Sequence, residues 1–545
     1  VTGPLLAIED LNVRLPRGSD RSHAVEGLSL TLEKGEILCI VGESGSGKSM
    51  TALAAMGLLP RNLPKPTGRV VFEGTDLLGL DERRRSDITG RRIAMIFQEP
   101  TAALNPVYRV GEQVAETFRL HTDLSAAEIR DRVVDLFREV RLPNPEQIVH
   151  SYPHQLSGGQ CQRVMIATAL ALDPAVLIAD EPTTALDVTT QAQILRLMLE
   201  LRQRHGAGIV FITHDFGVVA EIADRVAVMQ QGRLVEIGTR EEVLHAPKAD
   251  YTRRLLAAVP TLDPRISRTD LGKPVLLARK IVKTFSGNGL FGRGRSVKAV
   301  DAVDVTIRQG ETIGLVGESG SGKSTLAQCV IRLVEPDNGE VIISGGAFTG
   351  LRGSALRDAR RRVQIVFQDP YTALDPRQKI GAAIAEGPRV HGVSAGEAMQ
   401  RAFDLLDAVG LDRASADRFP HEFSGGQRQR ICIARALAVE PDLLIADESV
   451  SALDVSIQAQ ILDLLADMQR RLGFGMLFIT HDLRVASRIC DRIAVMRAGR
   501  IVEEGEPATL FDNPQDPYTR ELLAAVPGRD WQTAPPGQTK ARAES

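Results

Sequence analysis

One octapeptide occurs twice without a change: Gly42-Glu43-Ser44-Gly45-Ser46-Gly47-Lys48-Ser49 returns as Gly317-Glu318-Ser319-Gly320-Ser321-Gly322-Lys323-Ser324. Each copy follows a short apolar run, Ile37 to Val41 or Thr312 to Val316, and precedes a helix-compatible stretch. The local order is therefore strand, glycine-rich loop, helix. Glycines let the backbone aim N–H groups at phosphate oxygens, a helix N-terminus adds the positive end of its dipole, and a lysine reaches the terminal phosphates. Gly42, Ser44, Gly45, Gly47, Lys48 and Ser49 are thus candidate phosphate contacts, with Gly317, Ser319, Gly320, Gly322, Lys323 and Ser324 as their counterparts. The hydroxyls of Ser49 and Ser324 are expected to face Mg²⁺.

The repeat continues downstream. Phe97-Gln98-Glu99-Pro100 pairs with Phe367-Gln368-Asp369-Pro370, and Ser157-Gly158-Gly159-Gln160 with Ser424-Gly425-Gly426-Gln427. Leu177 to Glu181 matches Leu444 to Glu448, Phe211 to Asp215 matches Phe478 to Asp482, and Tyr251 through Pro260 returns as Tyr518 through Pro527. The landmarks keep one order in both halves, so the 545 residues are expected to form two homologous domains, 1–260 and 275–527. A polar linker over 261–274 and a polar, disordered tail over 528–545 complete this division, with a Gly/Arg-rich loop at 287–295. Apolar runs ending at Val41, Ile96, Asp180 and Thr213 predict buried parallel strands in an α/β core. Residues 124–142 and 395–411 predict a helical insert, and Arg225 to Ile237 a hairpin repeated from Arg492 to Val502.

Composition limits the function classes. A net charge of −3 offers no global basic field for nucleic acid or an anionic membrane. The five cysteines are scattered singly, without a metal-ligand spacing, and read as reduced, buried thiols. No apolar run reaches membrane-spanning length, and no basic region followed by an apolar core opens the sequence, so any membrane role is expected to come through a partner.

Within each half the chemistry is that of phosphoryl transfer. Asp180 and Asp447 close apolar strands, where a carboxylate meets Mg²⁺ beside a phosphate loop; Glu181 and Glu448 follow as the bases or water-orienting groups. His214 and His481 each end a strand in Thr-His-Asp and are expected to sense the γ-phosphate. Gln98 and Gln368 fit a position bridging Mg²⁺, water and a partner protein. Ser157-Gly158-Gly159-Gln160 and Ser424-Gly425-Gly426-Gln427 open helices in which serine caps and glycine exposes N–H groups, a second anion site per half.

In this order, with Ala185-Leu186-Asp187 and Ala452-Leu453-Asp454 after the acidic pairs, the motifs resemble those of the ATP-binding-cassette ATPases over nearly the whole chain. The resemblance implies two tandem nucleotide-binding domains, each a RecA-like α/β core with an antiparallel β subdomain and a helical subdomain, acting on ATP with Mg²⁺. It also implies head-to-tail pairing. One site would use Lys48, Ser49, Asp180, Glu181 and His214 with Ser424 to Gln427; the other would use Lys323, Ser324, Asp447, Glu448 and His481 with Ser157 to Gln160.

Residues 47–60, 98–106 and 368–376, with the Tyr-Thr-Arg ends, are similar to the oligopeptide/dipeptide/nickel importer subfamily. That likeness implies two membrane-spanning permeases docking near Gln98 and Gln368, an extracytoplasmic substrate-binding protein, and a peripheral place on the cytoplasmic face of the membrane. Peptide is the expected cargo, with nickel chelate or glutathione-like cargo as alternatives. A tandem cassette acting on ribosomes or DNA is the rival from another class, and the short linker and acidic balance count against it. Three positions depart from the family pattern. Leu15 stands where an adenine-stacking aromatic is expected, a role Phe285 can fill in the second half; Cys161 replaces an arginine and Ser449 a proline. Both glutamates and both histidines are present, so two competent sites are expected.

Overall fold

The computed structural model describes residues 3–183, 186–264, 268, 270–286, 296–451, 453–529 and 531. Ala185 and Ala452, the Gly287 to Arg295 loop and the tail beyond Trp531 lie outside them. The chain divides into two compact units, one of Val1–Leu186, Thr190–Val259 and Pro527–Ser545, the other of Asp187–Thr189 and Pro260–Val526.

The first unit contains two sheets. Strands β1 (Leu6–Arg14), β2 (His23–Leu32), β4 (Thr67–Phe72) and β5 (Thr75–Asp76) form an antiparallel sheet in the order β2-β1-β4-β5. Strands β3 (Ile37–Val41), β6 (Ile93–Ile96), β7 (Val176–Asp180), β8 (Gly208–Ile212), β9 (Arg225–Gln230) and β10 (Arg233–Thr239) form the second, in the order β10-β9-β3-β8-β7-β6. All neighbours in this second sheet are parallel except the β9–β10 hairpin. Every residue of β3, β7 and β8 is buried, which is why these strands read as unbroken apolar runs. Side chains of β1, β2 and β4 pack with those of the parallel strands and the helix Lys48–Met56 into one core.

The second unit repeats the plan. Strands β11 (Pro274–Ser286), β12 (Ser296–Arg308), β14 (Asn338–Ile343) and β15 (Gly346–Ala347) form the antiparallel sheet. Strands β13 (Thr312–Val316), β16 (Val363–Val366), β17 (Leu443–Asp447), β18 (Gly475–Ile479), β19 (Arg492–Arg497) and β20 (Arg500–Gly505) form the other, in the order β16-β17-β18-β13-β19-β20.

The helical inserts are larger than the sequence reading allowed. Besides Ala126–Glu139 and Ala395–Ala408, the helices Val110–His121 and Ile380–Val390 belong to them. Val110, Val114 and Phe118 are buried at helical spacing, a signal present in the sequence but short. The helix Ala126–Glu139 starts at a capping box in which Ser125 and Glu128 satisfy each other's backbone N–H groups. Trp531, inside the segment expected to be a tail, is only 6% exposed and meets the His245 ring edge-on at 6.2 Å.

Candidate functional site

Each parallel sheet delivers its chemistry at the C-terminal ends of adjacent strands, where an open α/β sheet gathers ligands. In the first unit β3 runs into the phosphate loop, β7 ends at Asp180 and β8 leads to His214. The loop conformation depends on glycine at specific points. Gly42 has φ +151°, and a Cβ there would lie 2.2 Å from the Met229 carbonyl oxygen; Gly317 repeats this at φ +150° against Met496. Gly45 and Gly320, at φ +74° and +79°, have open space on the side a Cβ would occupy. Gly47 and Gly322 take φ +101° and +107° to begin the following helices.

Lys48 Nζ, 5% exposed as a residue, donates to the carbonyls of Gly42 at 2.7 Å and Glu43 at 3.0 Å. Lys323 Nζ does the same to Gly317 at 2.7 Å and Glu318 at 2.8 Å. A phosphate group fits these cradles. Besides the lysines, Ser321 Oγ is buried without a hydrogen-bond partner inside the second loop, a donor suited to a phosphate oxygen.

Ser49 Oγ donates to Asp180 Oδ1 at 3.0 Å, and Ser324 Oγ to Asp447 Oδ1 at 3.0 Å. Burial pushes the Asp180 carboxyl up to about 6, with the Ser49 hydroxyl pulling it back and the Glu181 charge adding to the rise. Asp447 is raised for the same reasons. A carboxylate held this way gains from a cation beside it. Among the described residues no three His, Cys, Asp or Glu groups form a metal cluster.

The glutamates are gripped from two sides. Gln98 Nε2 donates to Glu181 Oε2 at 2.9 Å while His214 Nδ1 stands 3.4 Å from Glu181 Oε1. Gln368 Nε2 donates to Glu448 Oε2 at 2.9 Å, and His481 Nδ1 lies 3.6 Å from the same oxygen. Burial alone would raise the Glu448 carboxyl, but its bond to His481 and the nearby Lys323 charge outweigh that and leave it lowered. Burial opposes charge on His481 as well, yet the Glu448 contact leaves its pKa raised. Both glutamates have left-handed backbones, φ 46° each, with their N–H groups bonded to the carbonyls of Ile212 and Ile479.

Ser157 and Ser424 form reciprocal caps with the glutamines three residues on. Ser157 Oγ accepts from Gln160 N at 3.3 Å while Gln160 Oε1 accepts from Ser157 N at 3.0 Å, and Ser424 and Gln427 repeat both bonds. No side chain stands within 4 Å of the Cβ position at Gly158 or Gly425, which leaves those turns approachable; Gly159 and Gly426 face Thr190 and Ile457. Phe285 is 45% exposed at the end of β11, with Lys283 Nζ 5.7 Å from its ring centroid.

Two tyrosines complete the loops, and motif reading did not single them out as site residues. The amide of Glu43 donates to the Tyr251 hydroxyl at 3.4 Å, and that of Glu318 to the Tyr518 hydroxyl at 3.0 Å. Burial raises the Tyr518 phenol to about 12, so it stays neutral. The repeated Tyr-Thr-Arg ends carried the signal, but nothing local to them names their target.

Comparison with known proteins shows the family. A family model described as ABC transporter matches residues 25–184 and 300–451, and one described as oligopeptide/dipeptide transporter, C-terminal region, matches 235–282 and 502–544. Proteins named glutathione import ATP-binding protein GsiA, from Shigella dysenteriae serotype 1 (strain Sd197) and Escherichia coli (strain K12), are each 50% identical over 562 aligned residues, covering 96% of this chain and 90% of theirs. A solved dimeric ATP-binding cassette bound to ADP and Pi is 30% identical over 43% of this chain and 98% of its own, with a TM-score of 0.39. The chain belongs to the ABC transporter family: it is an ATPase with both cassettes in one polypeptide, of the oligopeptide/dipeptide/nickel importer subfamily.

Proposed function

We propose that this ATPase powers the uptake of peptide-sized solutes through two permease subunits at the cytoplasmic face of the cell membrane, with an extracytoplasmic binding protein choosing the cargo. The observation that carries the reading is the doubled acidic site, Glu181 held by Gln98 and His214 and Glu448 held by Gln368 and His481, in a chain whose C-terminal regions match the peptide-transporter model. Glutathione, the solute in the relatives' name, is a tripeptide and falls within this cargo class. No helix among the described residues is long and apolar enough to cross a membrane, which agrees with membrane contact through the permeases.

In this reading Lys48 and Lys323 bind the terminal phosphates of ATP, and the loop amides hold the remainder. Ser49, Gln98 and Asp180 would hold Mg²⁺ in one cassette, and Ser324, Gln368 and Asp447 in the other; when bound, the ion neutralises charge on the phosphate oxygens. Glu181 and Glu448 orient the attacking water and accept its proton, the histidines fix each glutamate's rotamer, and the signature turns at Ser157 and Ser424 offer N–H groups to nucleotide.

The test is to capture the tagged chain from its native membrane in detergent, identify the proteins bound, and compare ATPase activity with Glu181→Gln and Glu448→Gln. Two co-purifying permeases, at least tenfold lower turnover in the double variant, and ATP-dependent uptake of labelled dipeptide or glutathione by the reconstituted complex are expected. Ribosomal or nucleic-acid partners without a permease would overturn the importer reading and leave the ATPase standing.

A further inference from the structure

Among the described residues the two cassettes do not present the same apolar groups to a nucleotide. In the second, Phe285 at the end of β11 is 45% exposed opposite Val297 of β12, which is 55% exposed, an apolar edge on which a purine can stack. In the first, the equivalent Leu15 is partly buried against the core of its own unit and offers no ring.

The connection between β1 and β2 supplies something else. It is closed at its base by Leu15 N donating to the Ser22 carbonyl at 2.9 Å, and its tip is held by Ser19 bonding to the Pro16 carbonyl. This fixes Arg21 beside the phosphate loop, where its Nη2 donates to the carbonyl of Gly45. Its Nε is buried and has no hydrogen-bond partner. Among the described residues no carboxylate pairs with this guanidinium. A fixed cation with a buried, unused donor, resting on the loop that wraps the phosphates, is matched to an anion: guanidinium presents a planar fork of N–H groups that fits phosphate oxygens in pairs.

We infer that Arg21 is a nucleotide-binding residue of the first cassette that contacts the phosphate chain, so that this site holds its nucleotide by phosphate and is indifferent to the base, whereas the second selects adenine by stacking on Phe285. The inference rests on the assignment of the Lys48 loop as a nucleotide site. It makes the two sites unequal in what they recognise while both keep a full set of hydrolytic groups.

The experiment uses the full-length chain with Lys323→Ala, which removes the second site's phosphate lysine so that the first site is read alone by calorimetric titration with ATP and with GTP. In that background the two nucleotides are expected to bind within about threefold of each other, and Arg21→Ala to weaken both about tenfold, the size of one charge-assisted contact. Arg21→Lys, which keeps the charge, should recover part of the loss. In the mirror background, Lys48→Ala, Phe285→Ala should weaken ATP and erase its advantage over GTP. Unchanged affinity in Arg21→Ala, or a loss for ATP alone, would overturn the phosphate assignment. Failure of the Lys323→Ala parent to bind either nucleotide would overturn the nucleotide-site assignment itself.

Discussion

At the scale of single residues, the same bond recurs in both cassettes across a long stretch of chain. Tyr518 OH accepts the Glu318 amide 200 residues away, and Tyr251 OH accepts that of Glu43 at a separation of 208. The hydroxyl therefore fixes one N–H of the phosphate loop from the C-terminal region of each cassette. Replacing Tyr518 by Phe keeps the ring, over which the Arg497 guanidinium sits at 4.5 Å, and removes only the acceptor. A net hydrogen bond contributes about 0.5–1.5 kcal/mol, so Tyr518→Phe is expected to weaken nucleotide binding at the second site by about two- to tenfold, with little loss of thermal stability. Titration of the Lys48→Ala background with ATP checks this. Glu181 and Glu448 teach a related lesson. Their identity and place after Asp were legible as motif, but their left-handed backbone was not, because it is imposed by the bonds to Ile212 and Ile479 on the neighbouring strand.

At the scale of elements, the strand that feeds each phosphate loop is anchored at its start by a carboxylate on the residue just before the strand beside it. Asp224 Oδ2 accepts the Ile37 amide at 2.9 Å, and Asp491 Oδ2 accepts the Thr312 amide at 2.8 Å. The two carboxylates differ in burial: Asp491 is 1% exposed and Asp224 is exposed, while Ile37 and Thr312 are both fully buried. Water can enter the surface place an Asp224 side chain leaves, but cannot easily enter the buried place of Asp491. Asp491→Ala is therefore expected to cost about 1–3 kcal/mol, the penalty of a buried unsatisfied donor, and Asp224→Ala distinctly less. Thermal unfolding of the two variants in the absence of nucleotide checks the order; equal shifts would contradict the role assigned to burial. The pair of half-exposed Arg492 with buried Glu311 at 2.8 Å, mirrored by Arg225 with Glu36 at 3.0 Å, lies at the same strand starts.

At the scale of the whole molecule, the duplication predicts two nucleotides per chain. Calorimetric titration of the intact protein with ATP is expected to give a stoichiometry of two, falling to one in either Lys48→Ala or Lys323→Ala and to none in the double variant. A wild-type value of one would mean that only one cassette holds nucleotide. The repeat and the α/β plan were legible in the sequence, and so was the placing of the glycine-rich loops, the acidic pairs and the two histidines at sheet ends, because each is written locally: glycines in the loops, apolar runs that can only be buried strands, and a carboxylate closing such a run. The helices Val110–His121 and Ile380–Val390 were not foreseen, since each carries its apolar spacing over few turns and their burial is decided by neighbours in the insert. The tyrosine bolts, the Gln–Glu–His contacts and the seat of Arg21 on Gly45 were beyond sequence reading for the same reason. Sequence determined which groups are available and the order in which the chain presents them. Only the tertiary structure decided which distant side chains meet at a sheet's end, because such meetings depend on how the strands stack and the loops close rather than on any neighbour along the chain.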